Sequence, residues 1–268
     1  TGTTSSPQVW GIYIASGSAT YANNFVAVGA GAGLEIRVKG IEDVGTGTNK
    51  FYFNSVSVTG TTASGTNNSY AFNRTSTALD TLRDNSFANF RTGGTGAHFA
   101  IGNASATNWG SATSNYNDLY SATSTTIGQW VGTTYDFSGW KTNSTGDANS
   151  VSGNPKFVNT ATNLHIDSTS SLSVAYNAGT PVSGYTTDYD GETRSGSTPD
   201  IGADEFDGQT PQSVDVAASS IDDPILGRSK KINTSFVPKA TVTNEATTDA
   251  SNISVSFTIT RLSDNTDR

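Results

Sequence analysis

Apolar and polar side chains alternate in short runs along most of the chain, and turn-forming residues separate the runs. This pattern is typical of β-strands joined by turns. The clearest runs are residues 34–38 and 51–58. In the first of them, alternation places Leu34, Ile36 and Val38 on one face of a strand, and we expect that face to point into a core.

An asparagine followed two residues later by an apolar residue returns at a nearly constant interval. The four positions are Asn24, Asn54, Asn85 and Asn117, so the steps are 30, 31 and 32 residues. A period between about 20 and 50 residues indicates a solenoid in which each repeat forms one coil. Asparagine amides stacked at the strand spacing of about 4.8 Å can hydrogen-bond from coil to coil. We therefore predict that these side chains form a structural ladder, with ligand binding as the alternative role.

Two further features of the repeat indicate that each coil holds more than one strand. The residue three positions before the asparagine is apolar in three of the four copies, which read Tyr21, Phe51, Leu82 and Ser114. An earlier strand is expected in each coil around one apolar residue, namely Ile12, Ile36, Phe72 and Ile101. Stacked coils of this kind predict a parallel β-helix.

The composition supports strands over helices and over disorder. Of the 268 residues, 34% are hydrophobic and 14% are charged. Short runs of Val, Phe, Tyr and Thr at low charge density favour an all-β fold. The net charge of −8 argues against nucleic acid or anionic lipid as a partner. No run approaches the roughly 20 apolar residues of a spanning helix, so we expect no membrane insertion.

Several kinds of chemistry are excluded by residue type. The chain contains no cysteine, which removes disulfides, thiol catalysis and cysteine-based zinc sites. Its two histidines, His98 and His165, cannot form a His-rich metal site, and we expect each to be a satisfied side chain of a strand. The glycine-rich run at 29–33 lacks the third glycine and the helix of a dinucleotide-binding motif. We therefore expect no cofactor.

Four motifs follow one another in the second half of the chain. They are Asn-Pro-Lys-Phe-Val-Asn at 154–159, Leu-His-Ile at 164–166, Asp-Tyr-Asp-Gly-Glu-Thr-Arg at 188–194 and Pro-Asp-Ile-Gly-Ala-Asp-Glu-Phe at 199–206. In this order they resemble the closing coils of secreted bacterial right-handed parallel β-helix proteins, the pectate-lyase-like solenoids common on the surface of Bacteroidota. The resemblance covers residues 49–206 and implies a right-handed parallel β-helix with an extracellular location. Members range from glycan-cleaving enzymes to non-catalytic surface proteins, and Asp204 stands where the family more often has an aromatic residue.

The pattern changes after residue 206. Alternating residues at 237–244 and 253–259 are similar to Ig-like adhesion modules. A complete Ig-like sandwich takes about 100 residues, so this module is expected to be incomplete and to leave the edge of its last strand open. The predicted organisation is a parallel β-helix over 1–206, a linker over 207–213 and a partial Ig-like β-module over 214–268.

Two acids form the candidate catalytic pair of a glycan-cleaving groove. If Asn85 and Asn117 stack, Asp84 and Asp118 flank them on neighbouring coils, about 8 Å apart. Inverting glycosidases hold their acid and base at about 6.5–9.5 Å. Solvated surface acids are the alternative interpretation.

A cluster of aromatic residues between positions 109 and 140 is the candidate carbohydrate-binding surface. Such rings can stack on sugars, or they can pack a long loop against the solenoid. The tryptophans in this cluster are Trp109, Trp130 and Trp140.

The run from 188 to 194 has features of a calcium loop. Asp188 and Asp190 are the candidate ligands, but a third ligand position and the terminal glutamate of such a loop are missing. In the same region we expect Arg194 to form an ion pair with Asp200 or Glu205.

These features predict a non-enzymatic structural or adhesive β-solenoid displayed outside a bacterium, with end-to-end assembly into a fibre as a further hypothesis. Self-association would use the solenoid ends or strand donation from the C-terminal module, and glycans are candidate ligands. Two alternatives from other classes remain. One is a polysaccharide lyase or glycoside hydrolase, and the other is a carbohydrate-binding module on a β-helix scaffold.

Overall fold

The computed structural model describes residues 7–30, 35–167, 172–207, 216–223 and 237–244. The chain divides into two compact units, Thr1–Gly208 and Gln209–Arg268. The first unit is a β-solenoid of about four turns with mostly parallel strands. About 4% of the described residues are helical. The all-β class and the parallel solenoid predicted from the repeat are thereby confirmed.

Each of the four coils contributes three strands, one to each side of the solenoid. The first coil holds β1 (Gln8–Ile14), β2 (Thr20–Ala22) and β3 (Phe25–Ala30), and the second holds β4 (Arg37–Asp43), β5 (Lys50–Tyr52) and β6 (Ser55–Thr62). The third holds β7 (Ser69–Arg74), β8 (Thr81–Arg83) and β9 (Ser86–Asn89), followed by the short β10 (Thr92–Gly93). The fourth holds β11 (His98–Asn103), β12 (Ser114–Asn115) and β13 (Asp118–Ser121).

Equivalent strands of successive coils pair in parallel and form three sheets. The first sheet has the order β1-β4-β7-β11, the second β2-β5-β8-β12 and the third β3-β6-β9-β13, with β10 also on β6. In the third sheet the register matches Val26 with Val56, Val56 with Phe87, and Phe87 with Leu119. Each match lies two residues after a repeated asparagine, so the sequence period of 30 to 32 residues is one coil.

The first strand of the second coil is not where alternation placed it. Ile41 pairs with both Ile12 and Phe72, whereas Ile36 precedes β4 and is only partly buried. The error arose because the buried end of β4 carries Glu42 and Asp43, which break the apolar pattern. Val38 is fully buried as expected, and Leu34 lies outside the described residues.

The interior of the solenoid is filled by stacked apolar side chains from all three sheets. Phe51, Phe72 and Phe87 are fully buried, and their rings contact in sequence at centroid distances of 5.1 and 5.0 Å. Burial of one such side chain stabilises the fold by about 1.5–3 kcal/mol. The parallel coils therefore share one continuous core.

A short hairpin and a helix cover the end of the solenoid beyond the fourth coil. Strand β14 (Gly128–Trp130) continues the first sheet, and β15 (Thr133–Tyr135) pairs with it antiparallel. Helix α1 (Phe137–Ser144) follows, and the Asp136 side chain accepts a hydrogen bond from the N–H of Gly139 as its N-cap. Trp140 on this helix is fully buried in the core of the solenoid.

A closing segment, here residues 155–167 and 172–206, lies against the outer face of the third sheet. It begins with the antiparallel pair β16 (Phe157–Asn159) and β17 (Asn163–Ile166). Phe157, Leu164 and Ile166 form a second apolar cluster with Ala88. Val56 and Phe87 on the other face of this sheet belong to the main core, so the third sheet is buried on both faces.

The second unit contributes one described hairpin. Strands β18 (Val216–Asp223) and β19 (Lys239–Asn244) pair antiparallel. The predicted strand at 253–259 and its open edge lie outside the described residues. Strands β18 and β19 therefore establish an antiparallel pair and not the predicted Ig-like module. Within the described parts of the chain, no helix is long and apolar enough to cross a membrane.

Candidate functional site

The four repeated asparagines form one line of hydrogen bonds at the corner between the second and third sheets. Asn24 Nδ2 donates to Asn54 Oδ1 at 2.8 Å, Asn54 Nδ2 to Asn85 Oδ1 at 2.8 Å, and Asn85 Nδ2 to Asn117 Oδ1 at 3.0 Å. Each accepting Oδ1 also binds the main-chain N–H of the same donor residue, at 3.3, 3.1 and 3.0 Å. Each of the first three ladder asparagines thus donates two hydrogen bonds, from its side-chain Nδ2 and its main-chain N–H, to the Oδ1 of the asparagine in the next coil.

The main chain adopts a left-handed conformation just before every ladder asparagine. Asn23, Phe53, Asp84 and Tyr116 have φ angles of 53°, 52°, 59° and 57°. This conformation costs about 1–2 kcal/mol for a residue other than glycine. In the first three coils two ladder bonds, each contributing about 0.5–1.5 kcal/mol, offset that cost. In the fourth coil Asn117 donates to Ser150 and Asp147 instead. In Asn54, Asn85 and Asn117 both the oxygen and the nitrogen of the side-chain amide take part in hydrogen bonds.

The two candidate catalytic acids are buried under other parts of the chain. Asp118 is fully buried, and its carboxylate accepts hydrogen bonds from the Gly153 N–H at 3.1 Å and the Ser86 hydroxyl at 3.3 Å. Asp84 is also fully buried, and its Oδ1 accepts the Thr180 N–H at 2.8 Å. An open groove lined by these acids, as the sequence suggested, is not formed, because the chain itself fills the space above them.

Burial also sets the protonation of both acids. Loss of solvent raises the pKa of Asp118 to about 8, against the lowering effect of the bonds from Gly153 and Ser86. Loss of solvent likewise raises the pKa of Asp84 to about 7, and its Oδ2 has no hydrogen-bond partner. Raised pKa values at a functional site belong to groups that substrates can reach. Here Asp84 is covered by Thr180 of the closing segment, and Asp118 is covered by residues 151–153, which precede that segment.

The three tryptophans pack against one another instead of forming a flat platform. Trp140 is fully buried, and its ring lies at 84° to Trp109 and 89° to Trp130. Trp109 and Trp130 are tilted by 54°. Stacking on a sugar needs an exposed ring face, so this geometry corresponds to the packing alternative. The Trp140 Nε1–H donates to Asp147 Oδ2 at 2.8 Å. Because Asp147 Oδ1 also accepts a hydrogen bond from Asn117 at 3.1 Å, Asp147 connects the tryptophan cluster to the last asparagine of the ladder.

The two candidate calcium ligands have different partners. Asp188 is buried and accepts three main-chain N–H groups, those of Asp190, Glu192 and Glu205, at 2.8–3.0 Å. It therefore fixes a turn. The Asp190 side chain is exposed and points to His165, with Oδ2 2.6 Å from Nε2. Asp188 and Asp190 do not form the paired site that a calcium loop would need.

The closing motif is held by a network around Arg194. Its guanidinium lies 4.1 Å from the centroid of the Phe53 ring and 3.3 Å from the Glu205 carboxylate. The pairing with Glu205 confirms one of the two ion pairs expected for Arg194. Asp200 is buried and accepts two main-chain N–H groups, and loss of solvent raises its pKa to about 7. The motif residues thus hold the closing segment on the corner formed by Phe53.

The contact between His165 and Asp190 was not predicted from the sequence. The two residues are 25 positions apart, and no local spacing pattern connects them. The nearby Asp204 is buried, and loss of solvent raises its pKa, while its Oδ2 accepts the Ile166 N–H at 2.7 Å. The available signal was Asp204 itself, since a carboxylate next to the buried apolar residues Ile201 and Ala203 needs a polar partner.

Comparison of the chain with protein-family models, with curated proteins and with solved structures found no match. The functional argument therefore depends on the geometry of the chain.

Proposed function

We propose that this chain is a non-enzymatic structural or adhesive β-solenoid. The observation that carries the proposal is the position of the closing segment on the outer face of the third sheet. Ala203 donates its N–H to the Ser55 hydroxyl at 2.9 Å, and Ser57 donates its hydroxyl to the Thr160 carbonyl at 2.6 Å. A polymer substrate would have to displace this segment to reach Asp84, and it would have to displace residues 151–153 to reach Asp118.

The buried polar groups around Arg74 support the same proposal because they join three coils. Arg74 and Asp80 form a fully buried ion pair at 2.7 Å within the third coil. Arg74 also donates to Asn103 of the fourth coil at 3.0 Å, and Asp80 accepts the N–H of Asn49 from the second coil at 2.8 Å. Buried ion pairs of this kind are costly to break. A solenoid whose coils are joined by such buried bonds is expected to be rigid, as a structural protein requires.

The test is release of reducing ends from a panel of acidic and neutral glycans, with and without Ca²⁺. We expect no release above that of a buffer control. Release by the unmodified chain that disappears in Asp118→Asn would overturn the proposal in favour of a glycan-cleaving enzyme. Asp207→Asn, which removes an exposed acid near the end of the closing segment, is the matched control for the change in charge.

Glycan binding is a separate outcome of the same panel. The packed tryptophans support the prediction that Trp130→Ala changes no glycan affinity. Binding that requires Trp130 would favour the carbohydrate-binding module. Binding that is independent of Trp130 would support an adhesive role of another surface.

We further propose self-association through the end of the solenoid at the first coil. Among the described residues, β1, β2 and β3 each pair with a neighbour on one side, whereas β15 and α1 cover the opposite end. Unpaired strand edges recruit other strands. Sedimentation velocity across a concentration series should show association, and a monomer at every concentration would refute it. Fibre growth would need a second contact, for which strand donation from 253–260 remains a hypothesis about residues outside those described.

An extracellular or cell-surface location is also proposed. It is supported by the resemblance of the motifs between 154 and 206 to secreted solenoids. Labelling of intact source cells by an antibody against the chain tests it, and labelling that requires permeabilised cells would contradict it.

A further inference from the structure

Three separate parts of the closing segment meet at the outer face of the first coil. His165 lies on β17, Asp190 on the turn that Asp188 fixes, and Asp204 in the irregular stretch at 199–206. One ligand atom from each of these three side chains lies within 4.8 Å of the others. The segment therefore gathers one imidazole and two carboxylates from positions up to 39 residues apart.

The hydrogen bonds around His165 determine which ring nitrogen faces the carboxylates. Asn163 Oδ1 accepts the main-chain N–H of His165 at 3.2 Å, which fixes the orientation of that amide. The same Oδ1 contacts His165 Nδ1, so Nδ1 must carry the hydrogen. In the neutral ring the Nε2 lone pair then faces Asp190 Oδ2 at 2.6 Å. A lone pair and a carboxylate oxygen at this distance repel each other unless a cation neutralises the pair. A proton fits between the two atoms at 2.6 Å, whereas a metal ion bound to each of them at about 2.0–2.2 Å would hold them somewhat farther apart.

The surrounding side chains hold these groups in place. Phe25 packs edge-on against the His165 ring at a centroid distance of 4.8 Å, and Tyr189 packs on Phe25 at 4.3 Å. The Asp204 carboxylate is fixed by the Ile166 N–H and is only 6% exposed. Asp190 is the exposed member, so an ion can enter from solvent. A preorganised, partly buried set of this kind is what a metal site requires.

We propose that His165 Nε2 and the carboxylates of Asp190 and Asp204 bind a divalent transition-metal ion of the zinc class. Zinc is bound in proteins by imidazole nitrogen and carboxylate oxygen, commonly with water in a remaining position. Calcium and magnesium prefer all-oxygen sites, so the imidazole favours zinc over both. The bond from Nδ1 to Asn163 is the outer contact that orients a metal-binding histidine. The ion would join β17, the turn at 188–190 and the irregular stretch at 199–206 to one another.

The chain offers an internal control, since His98 is its only other histidine. His98 is 4% exposed, and its ring nitrogens contact the Ser69 hydroxyl at 2.9 Å and the Gly93 carbonyl at 3.1 Å. Imidazole NMR signals of the full chain, followed during titration with Zn²⁺ near neutral pH, should shift for His165 and stay fixed for His98. Ca²⁺ at the same concentrations should shift neither.

Two variants test the carboxylate contribution. Asp190→Asn should weaken Zn²⁺ binding about tenfold or more, and its exposed position lets the chain keep its fold. Glu192→Gln removes the same charge from an exposed residue two positions away and should leave the affinity unchanged. Zn²⁺ should also raise the melting temperature of the unmodified chain more than that of Asp190→Asn. The proposal is overturned if the His165 signal does not shift with Zn²⁺, if Asp190→Asn binds Zn²⁺ as tightly as the unmodified chain, or if Ca²⁺ shifts the His165 signal as much as Zn²⁺ does.

Discussion

Replacing a single interior asparagine of the ladder should destabilise the whole stack. Asn85→Ala removes the acceptor of the Asn54 main-chain N–H at 3.1 Å and the donor to the Phe51 carbonyl at 2.9 Å. All three residues are fully buried, so water cannot replace either bond. An unsatisfied buried donor or acceptor costs about 1–3 kcal/mol. We therefore expect the free energy of unfolding to fall by roughly 2–6 kcal/mol.

Asn24→Ala is the matched control, because Asn24 occupies the half-buried end of the same ladder. The substitution removes the hydrogen bond from the Asn24 side-chain amide to Asn54 Oδ1. The hydrogen bond from the main-chain N–H of residue 24 to the same Oδ1, at 3.3 Å, is expected to remain. The expected loss is about 0.5–1.5 kcal/mol, the net contribution of one hydrogen bond.

Urea denaturation followed by tryptophan fluorescence and circular dichroism measures both losses, with the denaturant dependence expected to stay the same in each variant. An equal loss in Asn85→Ala and Asn24→Ala would refute the reasoning, because it would mean that burial of the interior amide adds nothing.

Three other perturbations can be measured by the same denaturation. Burial raises the pKa of Asp118 to about 8, above the value of about 3.9 in an unfolded chain, so the folded state binds this proton more tightly. The free energy of unfolding should then fall as pH rises from about 4 to about 8, and Asp118→Asn should flatten that fall; an unchanged slope would contradict it. Trp140→Ala should cost about 3–5 kcal/mol, while Trp10→Ala at a residue 37% exposed should cost less than about 1 kcal/mol. Asp80→Asn should cost about 3–5 kcal/mol because it leaves the Arg74 guanidinium buried without its countercharge, and a loss below about 1 kcal/mol would show that the pair is not buried in solution.

The coil repeat was predictable from sequence because the ladder is a local signal. In every copy of the pattern the asparagine and the apolar residue lie two positions apart, as Asn54 and Val56 do. The corner between two sheets fixes that spacing. The strand of the second coil was misplaced because Glu42 lies buried between Asn73, which donates to it at 2.9 Å, and Lys39, with which it forms an ion pair. Alternation of apolar residues cannot identify a strand whose buried positions carry paired charges.

The environment of the candidate acids could not be predicted from the sequence around them. Asp84 receives its hydrogen bond from Thr180, which lies 96 positions further along the chain. Nothing near Asp84 in sequence indicates that a later segment covers it. The same limit applied to Trp140, whose burial depends on helix α1 lying across the end of the solenoid.

Hydrogen exchange of the native chain, resolved by peptide, tests the account most directly, because the structural role depends on the closing segment being seated on the solenoid. Thr180 and Gly202 donate their amides to Asp84 at 2.8 Å each, so both should exchange as slowly as the strands at 55–58 and 86–89. Exchange of 173–206 at the rate of an unfolded peptide, with those strands still protected, would contradict the account, since it would leave Asp84 open to a substrate.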